Sequence, residues 1–137
     1  IEETAIMSQQ LEIDNEGLVT QFIEAWEAKD LERILSYMHE KIIFQMFEKA
    51  PEVHGIEAMR KALEPLVIGV ETIRWQVKRT YSVGAIVINE RVDRFESKDA
   101  EGKEKLMEFE VSGVFWIKDG KIGVWRDYMI PGGVFKM

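Results

Sequence analysis

Apolar residues recur with helical spacing along the first part of the chain. Leu18, Phe22, Ile23 and Trp26 fall on one stripe, and Asp14 or Asn15 ahead of it is of the type that caps a helix. Asp30 stands in front of a second, shorter stripe of Leu31, Ile34, Leu35 and Met38. The first residues, about 1–12, read as a loose tail or an early helix. The period then changes. Lys41–Phe47, rich in Ile and Phe, predicts a strand, Pro51–Gly55 a turn, and Ile56 to about Val67 a third helix with Met59, Leu63 and Leu66 inward and Pro65 near its end.

From residue 71 onward the pattern is that of strands. Glu71–Tyr81 sets Ile73, Trp75, Val77 and Tyr81 against Thr72, Arg74, Gln76 and Lys78. Ala85–Glu96 is a second long strand, and Ser97–Lys103 a charged turn. Glu104–Ile117 carries Met107, Phe109, Val111, Phe115 and Ile117 on one face. Asp119-Gly120 is a tight-hairpin signal leading into Lys121–Ile130, which Pro131-Gly132-Gly133 ends. Helices, one strand, a helix and then an antiparallel meander describe an α+β domain with its helices on one side of a curved sheet. Neither a βαβ phosphate loop, a His-Glu-x-x-His helix nor a nucleophile elbow is present.

Composition narrows the chemistry. The 137 residues fit one domain, and a 46% hydrophobic fraction with four Trp, seven Phe and seven Met can fill one core without a staple. A formal charge of -7, 25 acidic against 18 basic residues, disfavours nucleic acid as a partner. With no cysteine there is no disulfide, thiolate site or thiol nucleophile, and His39 and His54 are too few for a histidine metal site. The expectation is therefore no metal and no cofactor. No apolar run approaches the ~20 residues of a membrane span, and Ile1–Gln10 lacks the basic and apolar blocks of a signal peptide. The expected location is cytoplasmic, away from membranes.

Strand alternation then sets charges on faces that are otherwise apolar. In the last strand Trp125, Asp127 and Met129 share a face. In the second long strand Val87, Arg91, Asp93 and Phe95 do. A lone carboxylate among Trp and Met is costly to keep charged. Two carboxylates around one Arg make chemical sense, because the Arg favours ionisation while each carboxylate favours a proton on the other. At ~4 Å and an effective dielectric of ~20, one such pairing is on the order of 4 kcal/mol. That is enough to leave one Asp an acid and the other a base at neutral pH. An Arg–Asp pair on a strand is, however, more often a structural ion pair than a catalytic one.

These residues carry a resemblance. Asn89-Glu90-Arg91-Val92-Asp93, then Gly113-Val114-Phe115, Gly120-Lys121-Ile122 and Trp125-Arg126-Asp127-Tyr128, in this order, resemble the limonene-1,2-epoxide hydrolase family. The resemblance covers most of the chain. It implies the cone-shaped fold of the nuclear transport factor 2-like superfamily, with a curved mixed sheet and N-terminal helices packed on one side. That superfamily includes ketosteroid isomerases and polyketide cyclases. The resemblance also implies that Asp93 protonates an epoxide oxygen, that Asp127 takes a proton from the attacking water, that Arg91 bridges them, and that the enzyme is a homodimer. The family also holds the water with a Tyr and an Asn two positions apart. Here Phe44 and Met46 stand in their place, with Gln45 available on a one-residue shift.

The expected function is a cofactor-independent hydrolase opening a small apolar epoxide to a diol, with Phe44, Met46, Leu66, Trp125 and Met129 around the substrate. The alternative is a weakly active or non-catalytic member that binds an apolar ligand, favoured by the missing Tyr/Asn pair. An isomerase is a third reading, disfavoured by the Arg between the two Asp. Tyr81 is a second source for the missing hydroxyl, though core packing is the commoner use of such a residue. Trp75, Phe109 and Trp116 read first as core or dimer residues.

Overall fold

The computed structural model describes residues 2–130, so the Pro131-Gly132-Gly133 stop lies outside the described residues. The helices are α1 (Glu2–Glu27), α2 (Leu31–Ser36) and α3 (Ile56–Ile68). The strands are β1 (Met38–Gln45), β2 (Val53–His54), β3 (Thr72–Val83), β4 (Ile86–Lys98), β5 (Glu104–Lys118) and β6 (Lys121–Met129). They form one sheet in the order β2-β1-β6-β5-β4-β3. β3 to β6 are an antiparallel meander, and β1 runs parallel to β6, which makes the sheet mixed. This is the α+β architecture that the pattern predicts, a curved sheet with helices on one face.

The local reasons are legible. Asp30 caps α2 by accepting from the Arg33 N–H at 3.1 Å. Asp119 and Gly120 take φ of 52° and 72°, which lets a two-residue turn join β5 to β6 with Lys118 opposite Lys121. Val19, Phe22, Ile23 and Trp26 of α1 are buried against the sheet. Phe22 meets Trp125 edge-on at 5.1 Å between centroids, and Trp26 stacks on Trp75 at 4.3 Å.

Four elements depart from expectation. α1 begins at Glu2 and runs through Asp14 and Asn15 without a cap at either. Asn15 instead donates its side-chain amide to Gly84 O at 3.3 Å, and Glu12 accepts from Gly84 N–H at 2.9 Å, so polar residues of α1 are spent on the β3–β4 hairpin. α2 stops at Ser36, and Met38 opens β1 because it pairs with Ile122 of β6; a register shift follows before Ile43. β1 ends at Gln45, leaving Met46 and Phe47 in the bend beyond it. In β3 the register shifts between Val77 and Arg79, so Tyr81 pairs with Ile88, on the opposite face from Trp75. The residue inserted at the bulge reverses the alternation downstream of it.

Candidate active site

Every second residue of β4 from Val87 to Phe95 is buried. Four strand partners place the polar ones. Asn89 is opposite Gly113 of β5, which is opposite Asp127 of β6; Arg91 is opposite Val111; and Asp93 lies between Trp75 of β3 and Phe109 of β5. Asn89, Arg91, Asp93 and Asp127 are 1%, 1%, 4% and 7% exposed, so their charges and amide have partners in the protein or none.

Arg91 supplies those partners. Its Nε donates to Asp93 Oδ1 at 2.8 Å and its Nη2 to Asp93 Oδ2 at 3.1 Å, a bidentate pair. The same Nη2 donates to Asp127 Oδ2 at 2.7 Å, and Nη1 donates to Asn89 Oδ1 at 2.9 Å. The Trp125 indole N–H donates to Asp127 Oδ1 at 2.7 Å. The guanidinium lies over the Trp75 ring, 4.7 Å from its centroid. Space for it is made on β5. A Cβ at Gly113 would stand 2.3 Å from Arg91 Nη1 and 3.0 Å from Asp127 Oδ1.

Burial dominates the proton affinities. It pushes the Asp93 carboxyl up to about 6, against the opposing pull of Arg91 and with a further push from Asp127. Burial also raises the Asp127 carboxyl, outweighing the Arg91 guanidinium and the Trp125 N–H. Burial alone would lower Arg91, but its two carboxylate neighbours more than offset that and hold it charged. Three charges in a dry wall are a poor way to stabilise a fold, since desolvation offsets much of their attraction. The arrangement instead keeps a proton available near neutral pH on an acid beside a second carboxylate.

Both carboxylates open on a cavity of about 500 Å³. Phe44, Met46, Leu66, Trp125 and Met129 line it, so the five residues expected around a substrate are brought together there. The rest of the lining is mostly aromatic and aliphatic, from Trp26, Trp75, Phe95 and Phe109 to Leu63 and Val111. Trp75 and Phe109 are thus wall residues as well as core. Trp116 is partly exposed on the opposite face of the sheet, beside Val124. Phe44 packs on Trp125 with centroids 4.3 Å apart.

The other candidate water anchors stand elsewhere. The Gln45 amide donates to Ala50 O at 3.0 Å, and the Tyr81 hydroxyl donates to Glu90 Oε2 at 3.1 Å on the outer face. His39 lies in β1 rather than at the end of α2, where its Nδ1 accepts from Lys41 N–H; His54 is exposed in β2. Among the described residues no group of three or more His, Asp or Glu could hold a metal ion. No described helix is long and apolar enough to cross a membrane.

Two contributors have no role assigned from sequence. Asn89 has the same parity as Arg91 and Asp93, and Gly113 interrupts the large inward residues of β5. Parity and a missing side chain were the available signals.

Residues 19–125 match the family model of the SnoaL-like domain. The chain belongs to the SnoaL-like domain family. Solved structures of similar shape include a limonene-epoxide-hydrolase-like epoxide hydrolase from M. tuberculosis, at TM-score 0.76 and 22% identity over 91% of this chain and 89% of that one. A putative SnoaL-like polyketide cyclase from Shewanella denitrificans OS-217 also has TM-score 0.76, at 13% identity over 88% and 93% of the chains. Another from Jannaschia sp. CCS1 has TM-score 0.74, at 16% identity over 90% of each. These likenesses establish that this SnoaL-like chain has the nuclear transport factor 2-like fold, in which neighbours of different activity share one scaffold.

Proposed function

We propose that this SnoaL-like protein is a cofactor-independent epoxide hydrolase acting on a small, largely apolar epoxide. The observation that carries the reading is the sharing of one guanidinium nitrogen: Arg91 Nη2 donates to both Asp93 and Asp127, and both carboxylates face a cavity whose lining, Glu48 apart, is otherwise apolar. The order of the Arg-Val-Asp and Trp-Arg-Asp-Tyr motifs supports the same assignment.

In this mechanism Asp93 is the acid, Asp127 the base and Arg91 the bridge. Water attacks one ring carbon while Asp127 accepts its proton. The carbon–oxygen bond breaks, and the departing oxygen takes the proton of Asp93, which gives a diol. The resting state returns when Asp127 releases its proton and Asp93 regains one. With Asp93 raised to about 6, roughly a tenth of it carries a proton at pH 7, enough for a general acid that is replenished each turnover. The Trp125 N–H and the Arg91 guanidinium hold both Asp127 oxygens, which fixes its orientation toward the cavity wall shared with Phe44 and Met46.

The test is diol formation from a panel of small apolar epoxides, followed by chromatography of the products, with chelator present in a parallel series. Diol from at least one epoxide, unaffected by chelator, is the expected outcome. A folded wild type that is inert on the whole panel, with Phe44→Tyr/Met46→Asn equally inert, would overturn the assignment.

A further inference from the structure

The acid and the base are both in place, but the wall around them has little with which to hold a separate nucleophile. Asp93, Asp127 and Glu48 are the charged side chains of the cavity lining, and the remainder is hydrocarbon, thioether and aromatic. The indole N–H groups add no free donor. That of Trp125 is spent on Asp127, and those of Trp26 and Trp75 are shut off by burial. The Gln45 amide is turned to Ala50 O and the Tyr81 hydroxyl to Glu90. Phe44, packed on Trp125, and Met46 fill the wall next to the base. An ordered buried water takes about two to four polar partners. Beside the base, among the described side chains, it meets the Asp127 carboxylate alone, whose oxygens already accept from Arg91 and Trp125. The cavity, about 500 Å³, is of the size that encloses a drug-sized molecule, which leaves room for an epoxide that carries a further chain.

We propose that the preferred nucleophile is a hydroxyl of the substrate itself, so that the protein closes an apolar epoxy alcohol into a cyclic ether. Asp127 accepts the hydroxyl proton, and the hydroxyl oxygen bonds to the nearer ring carbon. The bond from that carbon to the epoxide oxygen breaks, and the freed oxygen takes the proton of Asp93. The product is an isomer of the substrate. No water is consumed, and the Asp pair ends with as many protons as it began with. Tethered, well-oriented reactants reach effective molarities on the order of 10⁵–10⁸ M, so a hydroxyl delivered with the epoxide needs no polar wall group to orient it. The chain that carries it suits the apolar lining. The inference rests on the Asp pair opening an epoxide, as proposed above, and adds what attacks the ring.

The experiment incubates the protein in ¹⁸O-labelled water with 4,5-epoxydecan-1-ol and, in parallel, with its methyl ether, in which the hydroxyl is blocked. Mass spectrometry separates the products. Ring closure gives 2-(1-hydroxyhexyl)tetrahydrofuran without label, whereas hydrolysis gives a labelled triol or methoxy diol. The wild type is expected to close the ring at least about 100-fold faster than it makes diol from the methyl ether. Phe44→Tyr/Met46→Asn, which gives water its missing partners, should shift the alcohol's products toward labelled triol. Labelled triol as the main wild-type product, or diol from the methyl ether as fast as the ring closes, would sink the inference and leave the hydrolase reading standing. Ring closure no faster than in buffer or with Asp127→Asn would sink it as well, because the chemistry would then be the substrate's own. A wild type inert on both compounds removes the inference and, if it is also inert on the epoxide panel, the reading beneath it.

Discussion

Phe44 and Met46 stand beside the proposed base for a reason that lies in the strand register. Phe44 pairs with Trp125 and Gln45 with Arg126 across the parallel β1–β6 ladder. Continued by one residue, that register sets Met46 next to Asp127, and both Phe44 and Met46 line the cavity. A water between them and Asp127 meets a carboxylate on one side and hydrocarbon or thioether on the other. Poor orientation of a reactant costs about 100-fold in rate, whereas loss of the base removes the proton's destination altogether. Phe44→Tyr/Met46→Asn is therefore expected to raise turnover by up to about 100-fold. Asp127→Asn should abolish it, because an amide of the same shape accepts no proton at neutral pH. Steady-state rates of diol formation for the three proteins check both. If the double variant is no faster while remaining folded, water orientation is not what limits the rate.

At the level of elements, the site depends on a stretch where three strands run in register. Asn89, Gly113 and Asp127 form one row across β4, β5 and β6, and the missing side chain in the middle of that row gives Arg91 its room. Gly113→Ala should push the guanidinium off at least one carboxylate. Overpacking alone costs about 1–3 kcal/mol, and an uncompensated buried charge costs more, so urea melts should show a loss at or above that range together with loss of turnover. Gly17→Ala is the internal control. No heavy atom outside its own helix lies within 4 Å of the added Cβ, and an exposed helical Gly replaced by Ala should gain about 0.5–1 kcal/mol. A neutral Gly113→Ala would mean that the row has slack the geometry does not show.

The same level explains what could be read from the chain beforehand. β4 alternates without interruption from Val87 to Phe95, so parity alone puts Arg91 and Asp93 on the buried face. β3 does not. Its bulge between Val77 and Arg79 inserts one residue, and Tyr81, grouped with Trp75 by parity, lands on the far side of the sheet. Nothing local in Val77-Lys78-Arg79 marks that insertion, which is set by pairing with β4. The start of β1 was hidden for a similar reason. Met38 fits the helical stripe of Leu31, Ile34 and Leu35, and only its partner Ile122, more than eighty residues later, draws it into a strand. Trp75 and Phe109 read as core or dimer residues, and not as cavity wall, because a buried aromatic and a cavity-lining aromatic have the same sequence signature.

The whole molecule stays folded around a group of charges that its interior does not favour, and that fixes how its stability responds to pH. Aromatic packing from α1, β3, β4, β5 and β6 supplies the burial: Phe22, Trp26, Trp75, Phe95, Phe115 and Trp125 are all within the core. That burial is what raises Asp93 from 3.8 to about 6. A carboxyl raised on folding binds its proton more tightly in the native state than in the unfolded chain. Between those two values the native state holds more protons, so stability must fall as pH rises. The favourable contribution is fully present below about pH 4 and is lost as the pH passes 6. A shift of about two units corresponds to about 3 kcal/mol. Asp127, raised in the same direction by its own burial, adds to the fall, while Arg91 stays charged throughout and contributes no slope. Urea melts of the wild type from pH 4 to pH 7.5 should therefore show a decline on the order of 3 kcal/mol or more. Asp93→Asn, which keeps the shape and removes the titration, should flatten much of that slope and match or exceed the wild type at pH 7.5, while losing turnover for want of a proton to donate. A wild type whose stability rises through pH 5 to 7 would mean that the Arg91 ion pairs outweigh burial at Asp93, and the acid would then have to be sought elsewhere in the cavity.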